Sequence, residues 1–170
     1  MKNQLLETVE YKVEKTRGGT WRSFLHENGQ LFREYRSHRT VLGLPLVHYT
    51  RGRSPETGRR VVARGFFAFG RYAVGVVAFG QTALGVVAFG QAGIGLLAGV
   101  GQAATGVVAL GQVALGLALG IGQLATGYVA VGQLALGTYV LAQLGHGAHA
   151  WTQRAADPEA VRFFRDLLPR

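Results

Sequence analysis

Glycine recurs every five residues from Gly65 to Gly137, and this period constrains the fold of the chain more than any other feature of the sequence. Alanine stands two places before most of these glycines, and glutamine follows most alternate ones, as in GVVAFGQTAL and GVVALGQVAL. A short fixed period is typical of repeat architectures, whose units stack on their neighbours and build a continuous core. The repeat therefore has to be explained before any other motif.

The charged residues divide the chain into three parts. Residues 1–64 hold 13 Lys and Arg with 6 Asp and Glu, residues 146–170 hold 4 and 3, and residues 65–145 hold Arg71 alone. We therefore predict a basic N-terminal β segment over 1–64, a five-residue-repeat body over 65–145 and a C-terminal capping helix region over 146–170.

The uncharged body fits two kinds of structure. Its hydropathy suits several membrane-spanning helices, but successive glycines would lie roughly 140° apart around a helix and form no packing stripe. In a β-solenoid, where the chain winds as a coil of short strands, each unit is three or four extended residues and a corner that glycine permits. We predict an all-β fold, a β-solenoid with an N-terminal β cap and a C-terminal helix, and keep spanning Gly-rich helices as the alternative.

Two irregularities suggest the size of one coil. The spacing of glycines rises to six between Gly95 and Gly101 and again between Gly116 and Gly122, and these insertions lie 21 residues apart. If both mark the same corner in consecutive coils, one coil has four sides and about 20–21 residues. The sequence then predicts a four-sided solenoid.

Side-chain alternation predicts which positions point inward. With glycine as position 1, positions 3 and 5 share one side of an extended segment and are expected inside, and position 4, usually alanine, outside. Position 2 alternates between apolar residues and glutamine, so it is predicted to form apolar faces and glutamine faces on the outside. The glutamines can stack as amide ladders or can simply be the polar residues that keep those faces hydrated, and the second interpretation is favoured. The candidate self-association face is Val76, Val86, Leu96, Val107, Leu117 and Tyr128, and the candidate glutamine ladder is Gln81, Gln91, Gln102, Gln112, Gln123 and Gln133.

The N-terminal segment carries strand and turn signals. Asn28-Gly29 separates two alternating runs and predicts a hairpin. The run VLGLPLVHYT predicts a buried strand interrupted at Pro45, and SPETG at 54–58 predicts a turn. We expect a small β structure leading into the first coil.

The C-terminal segment predicts a helix. Asp157 suits the N-cap and Pro158 the first helical position. Val161, Phe164 and Leu168 would share one face, which we expect to cover the last coil. A helix that binds a membrane or a partner is the alternative.

No catalytic group of residues is present in the sequence. The chain has no cysteine, so disulfides and thiolate metal sites are excluded. His146 and His149 would share a metal only on a helix, and without a nearby cysteine or acidic ligand we expect a structural role for them. We expect a protein that is not an enzyme and has no metal, cofactor or small-molecule substrate.

A run of arginines surrounds the PETG turn and is the candidate site for anions. It can hold anionic lipid headgroups, at about 1 kcal/mol per charge, or the phosphates of nucleic acid, or it can be a plain solvated surface. Beside so apolar a body, lipid is favoured and nucleic acid is not expected. The candidate anion or lipid contacts are Arg51, Arg53, Arg59, Arg60 and Arg64.

The stretch from Thr40 to Gln81 carries a resemblance. It reads TVLGLPLVHYTRGRSPETGRRVVARGFFAFGRYAVGVVAFGQ, and it resembles a group of uncharacterised bacterial Gly/Ala-rich repeat proteins with a GLPLVH-like entry segment and A-x-G-h-h-A-h-G repeats. The repeats also resemble pentapeptide-repeat solenoids. The resemblance covers roughly residues 40–145; it implies a bacterial source and carries no assigned activity.

These observations predict a non-enzymatic structural or assembly module that forms homo-oligomers through charge-free faces. The alternative is a membrane-associated protein, peripheral through the arginine run and an apolar face, or spanning through Gly-rich helices. The N-terminal residues lack the uninterrupted apolar stretch of a secretory signal, so we expect a cytoplasmic location or the inner face of the membrane.

Overall fold

The structure, a computed structural model, describes residues 9–167, which are mostly β-strand with one C-terminal α-helix. The all-β prediction with a helical C-terminus is therefore confirmed. The chain divides into two compact units, one ending at Gly80 and the other beginning at Gln81. A long run of strand, β7 (Ala63–Trp151), passes through both units.

Six short strands precede β7 in the first unit, and five strands join into one sheet. Its order is β1-β2-β3-β6-β7, antiparallel except for the parallel pairing of β6 with the start of β7. β4 and β5 form a separate two-stranded ribbon. The short strands are β1 (Lys12–Lys15), β2 (Gly19–Leu25), β3 (Leu31–Ser37), β4 (Thr40–Val41), β5 (Leu44–Pro45) and β6 (Val47–Arg51).

The local signals of the N-terminal segment correspond to real turns. β2 and β3 pair as the hairpin predicted from Asn28-Gly29, and Gly29 has a φ of 77°, which a glycine adopts without strain. The predicted turn at 54–58 closes with a hydrogen bond of 2.8 Å from the N–H of Gly58 to the carbonyl of Ser54. The single buried strand predicted over 41–50 is wrong: Leu42 and Gly43, with φ of 53° and 75°, turn the exposed start of this run back on itself between β4 and β5, and Leu46 then separates β5 from β6.

The interior of the repeat is built from alanine and glycine, so the predicted inward positions are wrong. In the first unit, Ala68, Ala73 and Ala78 are fully buried. In the second unit most alanines of position 4 are also buried and Ala98 is half-buried, whereas Leu84 and Leu136 at position 5 are each 47% exposed. The buried alanines at position 4 of the second unit are Ala83, Ala88, Ala104, Ala109, Ala114, Ala125, Ala130 and Ala135.

The physical reason for this error is the odd length of the repeat. Strict alternation over five residues would reverse the inward positions from one five-residue repeat to the next, yet position 4 is buried in every repeat from Gly65 to Gly137 except the two that carry an insertion. The alternation of side chains must therefore break once in each five-residue repeat. Position 4 is inside, whereas positions 2, 3 and 5 are mostly exposed in the repeats that begin Gly-Gln and mostly half-buried in the GVVAF-type repeats between them.

The chain returns beside itself after two units, not four, so the predicted four-sided coil is also wrong. A β-carbon added to Gly101 would clash with the carbonyl oxygen of Gly90, and one added to Gly111 would clash with that of Gly101. The same relation joins Gly122 to Gly111 and Gly132 to Gly122, so successive neighbours lie ten or eleven residues apart.

The two insertions explain why the coil was overestimated. Gly95 lies against the carbonyl of Ala98, and Gly116 lies against that of Leu119 in the same way, so both insertions form the same bulge. Gly106 lies against the carbonyl of Gly95, and its own unit carries no insertion. The bulges therefore recur in every second turn rather than in every turn.

The C-terminal helix, α1 (Pro158–Leu167), begins as predicted. Asp157 Oδ1 accepts hydrogen bonds from the N–H groups of Glu159 at 2.9 Å and Ala160 at 3.1 Å, which makes it the N-cap. Ala160 and Phe164 are buried, and the Phe163 ring stacks on Tyr139 of β7 with centroids 4.2 Å apart. The predicted helical cap is confirmed for these residues, and Leu168 lies outside the described residues.

Between residues 9 and 167, no helix has the length and apolar character needed to cross a membrane.

Candidate functional site

Large apolar side chains cover the outside of the repeat in the second unit. Leu96 is 71% exposed, Leu117 is 77% exposed and Tyr128 is 54% exposed. Alanine takes most of the buried positions, with Val140 the exception, so the surface carries many of the large side chains that most proteins bury. Arg71 belongs to the first unit, so residues 81–145 of this surface carry no charge at all.

The structure brings part of the candidate self-association face together. A β-carbon added to Gly106 would lie 3.2 Å from the carbonyl oxygen of Gly95, and one added to Gly127 would lie 3.4 Å from that of Gly116. The residues that follow these glycines, Leu96 with Val107 and Leu117 with Tyr128, therefore stand on neighbouring turns. Val86 and Val107 are half-buried, and Val76, also half-buried, belongs to the first unit. The role of this face stays a prediction.

The glutamines of the candidate ladder are all exposed. Because Gly90, Gly101, Gly111, Gly122 and Gly132 contact one another in turn, the glutamines that follow them form a single row in the second unit. In the part of the chain that the structure describes, no hydrogen bond joins one of these amides to the next. The row is present, and an amide ladder along it stays a prediction.

The arginine run lies entirely in the first unit and remains available to an anion. Arg51, Arg53, Arg59 and Arg64 are exposed and Arg60 is half-buried. Arg53 and Arg60 are held opposite each other by an antiparallel bridge beside the 54–58 turn. Within residues 9–167, none of these guanidinium groups forms an ion pair.

A buried carboxylate, Glu34 of β3, organises the same unit. It is 2% exposed and accepts hydrogen bonds from the Arg22 guanidinium, from Arg36 Nε at 2.8 Å and from His48 Nε2 at 3.0 Å. Burial raises the pKa of Glu34, but the hydrogen bonds from His48 and Arg22 and the charges of both arginines outweigh burial and lower this pKa to about 2. Glu34 is therefore ionised at neutral pH.

His48 connects this carboxylate to the arginine run. The backbone N–H of Arg64 donates to His48 Nδ1 at 2.8 Å, so the ring proton belongs on Nε2, which donates to Glu34. His48 is 2% exposed and lies opposite Arg36 in the β3–β6 register. Nδ1 of His48 thus fixes the backbone at Arg64, and Nε2 fixes the ring to Glu34.

A pocket of about 450 Å³ opens over this network. Leu44, Pro45, Val61 and Val62 form its apolar wall. Three polar residues complete the lining: Arg36, His48 and Arg64. The structure thus places Arg64 of the predicted run at a pocket together with Arg36, and places Arg51, Arg53, Arg59 and Arg60 outside its lining.

The two histidines near the end of β7 do not share a site. Both are on strand rather than helix, and His146 is exposed. His149 Nε2 lies 3.1 Å from Glu159 Oε2 and its Nδ1 lies 3.4 Å from Asp157 Oδ1, while its ring stacks on Tyr139. His149 therefore connects the last strand to the start of α1.

Glu34 and His48 were not singled out in the sequence. The available signal was the alternation in β3, where Glu34 stands two places after the buried Phe32 and so shares its face. No sequence pattern indicates that a strand from beyond the 40–46 ribbon brings His48 to this carboxylate.

No family model, curated protein or solved structure matches the chain. The resemblance to Gly/Ala-rich repeat proteins stays a prediction.

Proposed function

We propose that this protein is a non-enzymatic structural module, a two-sided β-solenoid that self-associates through its charge-free outer surface. The observation that carries the proposal is that small residues are buried in the repeat while large apolar side chains are exposed on it. Alanine and glycine fill the interior, and Leu96, Leu117 and Tyr128 are mostly exposed. Exposed apolar side chains in a contiguous patch mark a surface that another molecule covers.

The two-sided coil follows from the spacing of contacts. Neighbours ten or eleven residues apart, with two glycines per interval, correspond to two five-residue sides per turn. An alanine interior suits two sheets that approach closely, and it is too small to fill a four-sided coil. Each turn then presents one glutamine side and one apolar side at position 2.

A second copy of the chain is the occupant that suits this surface best. The surface has no charge that would select a charged partner, and its rows repeat from turn to turn. Two copies related by a two-fold axis would therefore present matching rows to each other. A flat, repetitive face can pack against the same face of a second copy, so no further complementary surface is needed.

The size of the face sets the expected strength. Five linked turns at about 4.8 Å per step and an outer side of about 16 Å give roughly 300 Å². A stable complex buries about 800 Å² on each partner, so pairing through one such face is expected to be weak and reversible. We expect an apparent mass that rises with protein concentration.

Light scattering after size-exclusion chromatography tests the proposal. The variant Leu96→Lys with Leu117→Lys should lower the mass to that of the monomer, because each charge would be buried unpaired on association. Gln102→Lys with Gln123→Lys is the matched control, with the same added charge at the same spacing on the glutamine row. Far-UV circular dichroism checks that both variants keep their strand content.

Three outcomes contradict self-association. One is a monomeric native chain at every concentration, and another is an equal loss of mass in both double variants. The third is a native monomer that binds lipid vesicles through Leu96 and Leu117, which would instead support the membrane-associated alternative.

A further inference from the structure

The pocket over Glu34 has an aliphatic part and a positively charged part, and a single amphiphilic ligand would suit both. Leu44, Pro45, Val61 and Val62 present aliphatic surface. Arg36 and Arg64 bring guanidinium groups to the same cavity. An apolar group with an anionic end would satisfy both.

The pocket keeps a surplus of positive charge. Glu34 is the carboxylate beside it, but its oxygens already accept from Arg22, Arg36 and His48. Arg36 uses Nε for Glu34, and a guanidinium has four further N–H donors. Arg36 and Arg64 line the pocket, and Arg22 lies beside it on Glu34. These three positive charges exceed the single negative charge of Glu34, so the pocket region is net positive.

The backbone of Arg64 is fixed at the pocket while its side chain stays accessible to a ligand. Its backbone N–H is fixed by Nδ1 of the buried His48, which is itself held by Glu34. Its side chain is exposed and, among residues 9–167, forms no ion pair. Because the backbone is already ordered, binding an anion here costs less conformational entropy than it would on a free loop.

The volume decides between a bare ion and a larger molecule. About 450 Å³ falls in the range of small-molecule pockets and far exceeds the space that one phosphate fills. An inorganic anion would leave the aliphatic wall in contact with water. A ligand with an apolar group would cover that wall and add hydrophobic free energy to the ionic contact.

We propose that this pocket binds a small amphiphilic anion, a phosphate or carboxylate group attached to a short aliphatic chain. Arg36 and Arg64 bind the anionic end, since guanidinium groups match these oxyanions with paired hydrogen bonds. Leu44, Pro45, Val61 and Val62 bind the aliphatic part. This site is independent of the self-association surface.

Isothermal titration calorimetry with inorganic phosphate, butyl phosphate and hexyl phosphate tests both halves of the pocket. Each buried methylene is expected to raise the affinity about three- to four-fold, so hexyl phosphate should bind about ten-fold more tightly than butyl phosphate. Butanoate and hexanoate should show the same increment with a weaker head-group contact. Hexanol, which lacks the anion, should not bind measurably.

Arg64→Gln is the diagnostic variant, and Arg59→Gln is its matched control from the same exposed run outside the pocket lining. Arg64→Gln should weaken every phosphate ligand about ten-fold, the loss of one charge-assisted contact, and keep the chain-length increment. Arg59→Gln should change neither. The thermal midpoint of each variant should equal that of the native chain, because neither guanidinium forms an ion pair in the structure.

The source of the anion is distinguished with vesicles of phosphatidylcholine, with and without phosphatidic acid. Binding to the acidic vesicles that hexyl phosphate displaces would support the site with a lipid headgroup as its ligand. Binding of hexyl phosphate without vesicle binding would support it with a free metabolite. The proposal is overturned if affinity does not depend on chain length, if both arginine variants lose binding equally, or if hexyl phosphate does not bind at millimolar concentration.

Discussion

Two adjacent alanines provide a direct test of the inverted interior. Ala104 is 1% exposed and packs in one cluster with Ala109 and Ala114, whereas Ala103 is exposed. Replacing each with valine adds the same two methyl groups, at the same place in the chain, to opposite sides of one strand. The difference in stability between the two variants therefore shows which side of the strand faces the packed interior.

The expected magnitudes follow from packing. Extra methyl groups in a filled core cost about 1–3 kcal/mol, so Ala104→Val should lower the free energy of unfolding by that amount. At the exposed Ala103, valine has the higher strand propensity on a scale that spans about 1 kcal/mol, so Ala103→Val should be neutral or slightly stabilising. For a chain of this length, the loss at Ala104 corresponds to a melting temperature lower by about 2–12 °C.

Urea unfolding followed by circular dichroism, at one fixed protein concentration, measures the difference. Equal slopes for the two variants would show that the midpoints can be compared as stabilities. If Ala104→Val were as stable as Ala103→Val, the closed alanine interior would be refuted, and the outward alanines predicted by strict alternation would be restored.

Two further results are expected. Because the folded pKa of Glu34 is about 2, below its ordinary 4.5, its stabilisation is present above pH 4.5 and lost as pH falls toward 2. The free energy of unfolding, obtained from urea curves across this window, should fall by about 2–3 kcal/mol in the native chain and much less in Glu34→Gln. An equal fall in both chains would contradict the network. Gly111→Ala would place a β-carbon against the carbonyl of Gly101 and should destabilise the chain by at least about 1–3 kcal/mol, whereas Gln112→Ala on the exposed neighbour should change stability by less than about 0.5 kcal/mol; equal thermal midpoints would contradict the close approach of the two turns.

Local signals in the sequence predicted local structure. The Asn28-Gly29 hairpin and the Asp157 cap each depend on a few neighbouring residues, whose backbone preferences act over one turn. The predicted interruption at Pro45 was one residue early, because Pro45 is the last residue of β5 and the break lies at Leu46.

The interior of the repeat could not be predicted with the same rules. Large apolar residues are expected inside, but Leu96 and Leu117 are outside, and alanine takes most of the buried positions with Val140 as the largest side chain in their company. The insertions at Gly95 and Gly116 do mark equivalent positions, as predicted. The interval between them covers two returns of the chain rather than one, because the repeat at Gly106 has no insertion, and nothing in the sequence indicates this. The Glu34–His48 contact joins strands separated by the 40–46 ribbon, and such pairing depends on tertiary structure.

The return of the chain after ten or eleven residues restricts how such a protein can lengthen during evolution. Duplication of ten residues adds one turn and leaves every later residue on its own side. Duplication of a single five-residue unit moves all later residues to the opposite side, so that glutamines continue the apolar row and leucines continue the glutamine row. Selection that preserves the outer surface would therefore accept growth in pairs of units and reject it in single units.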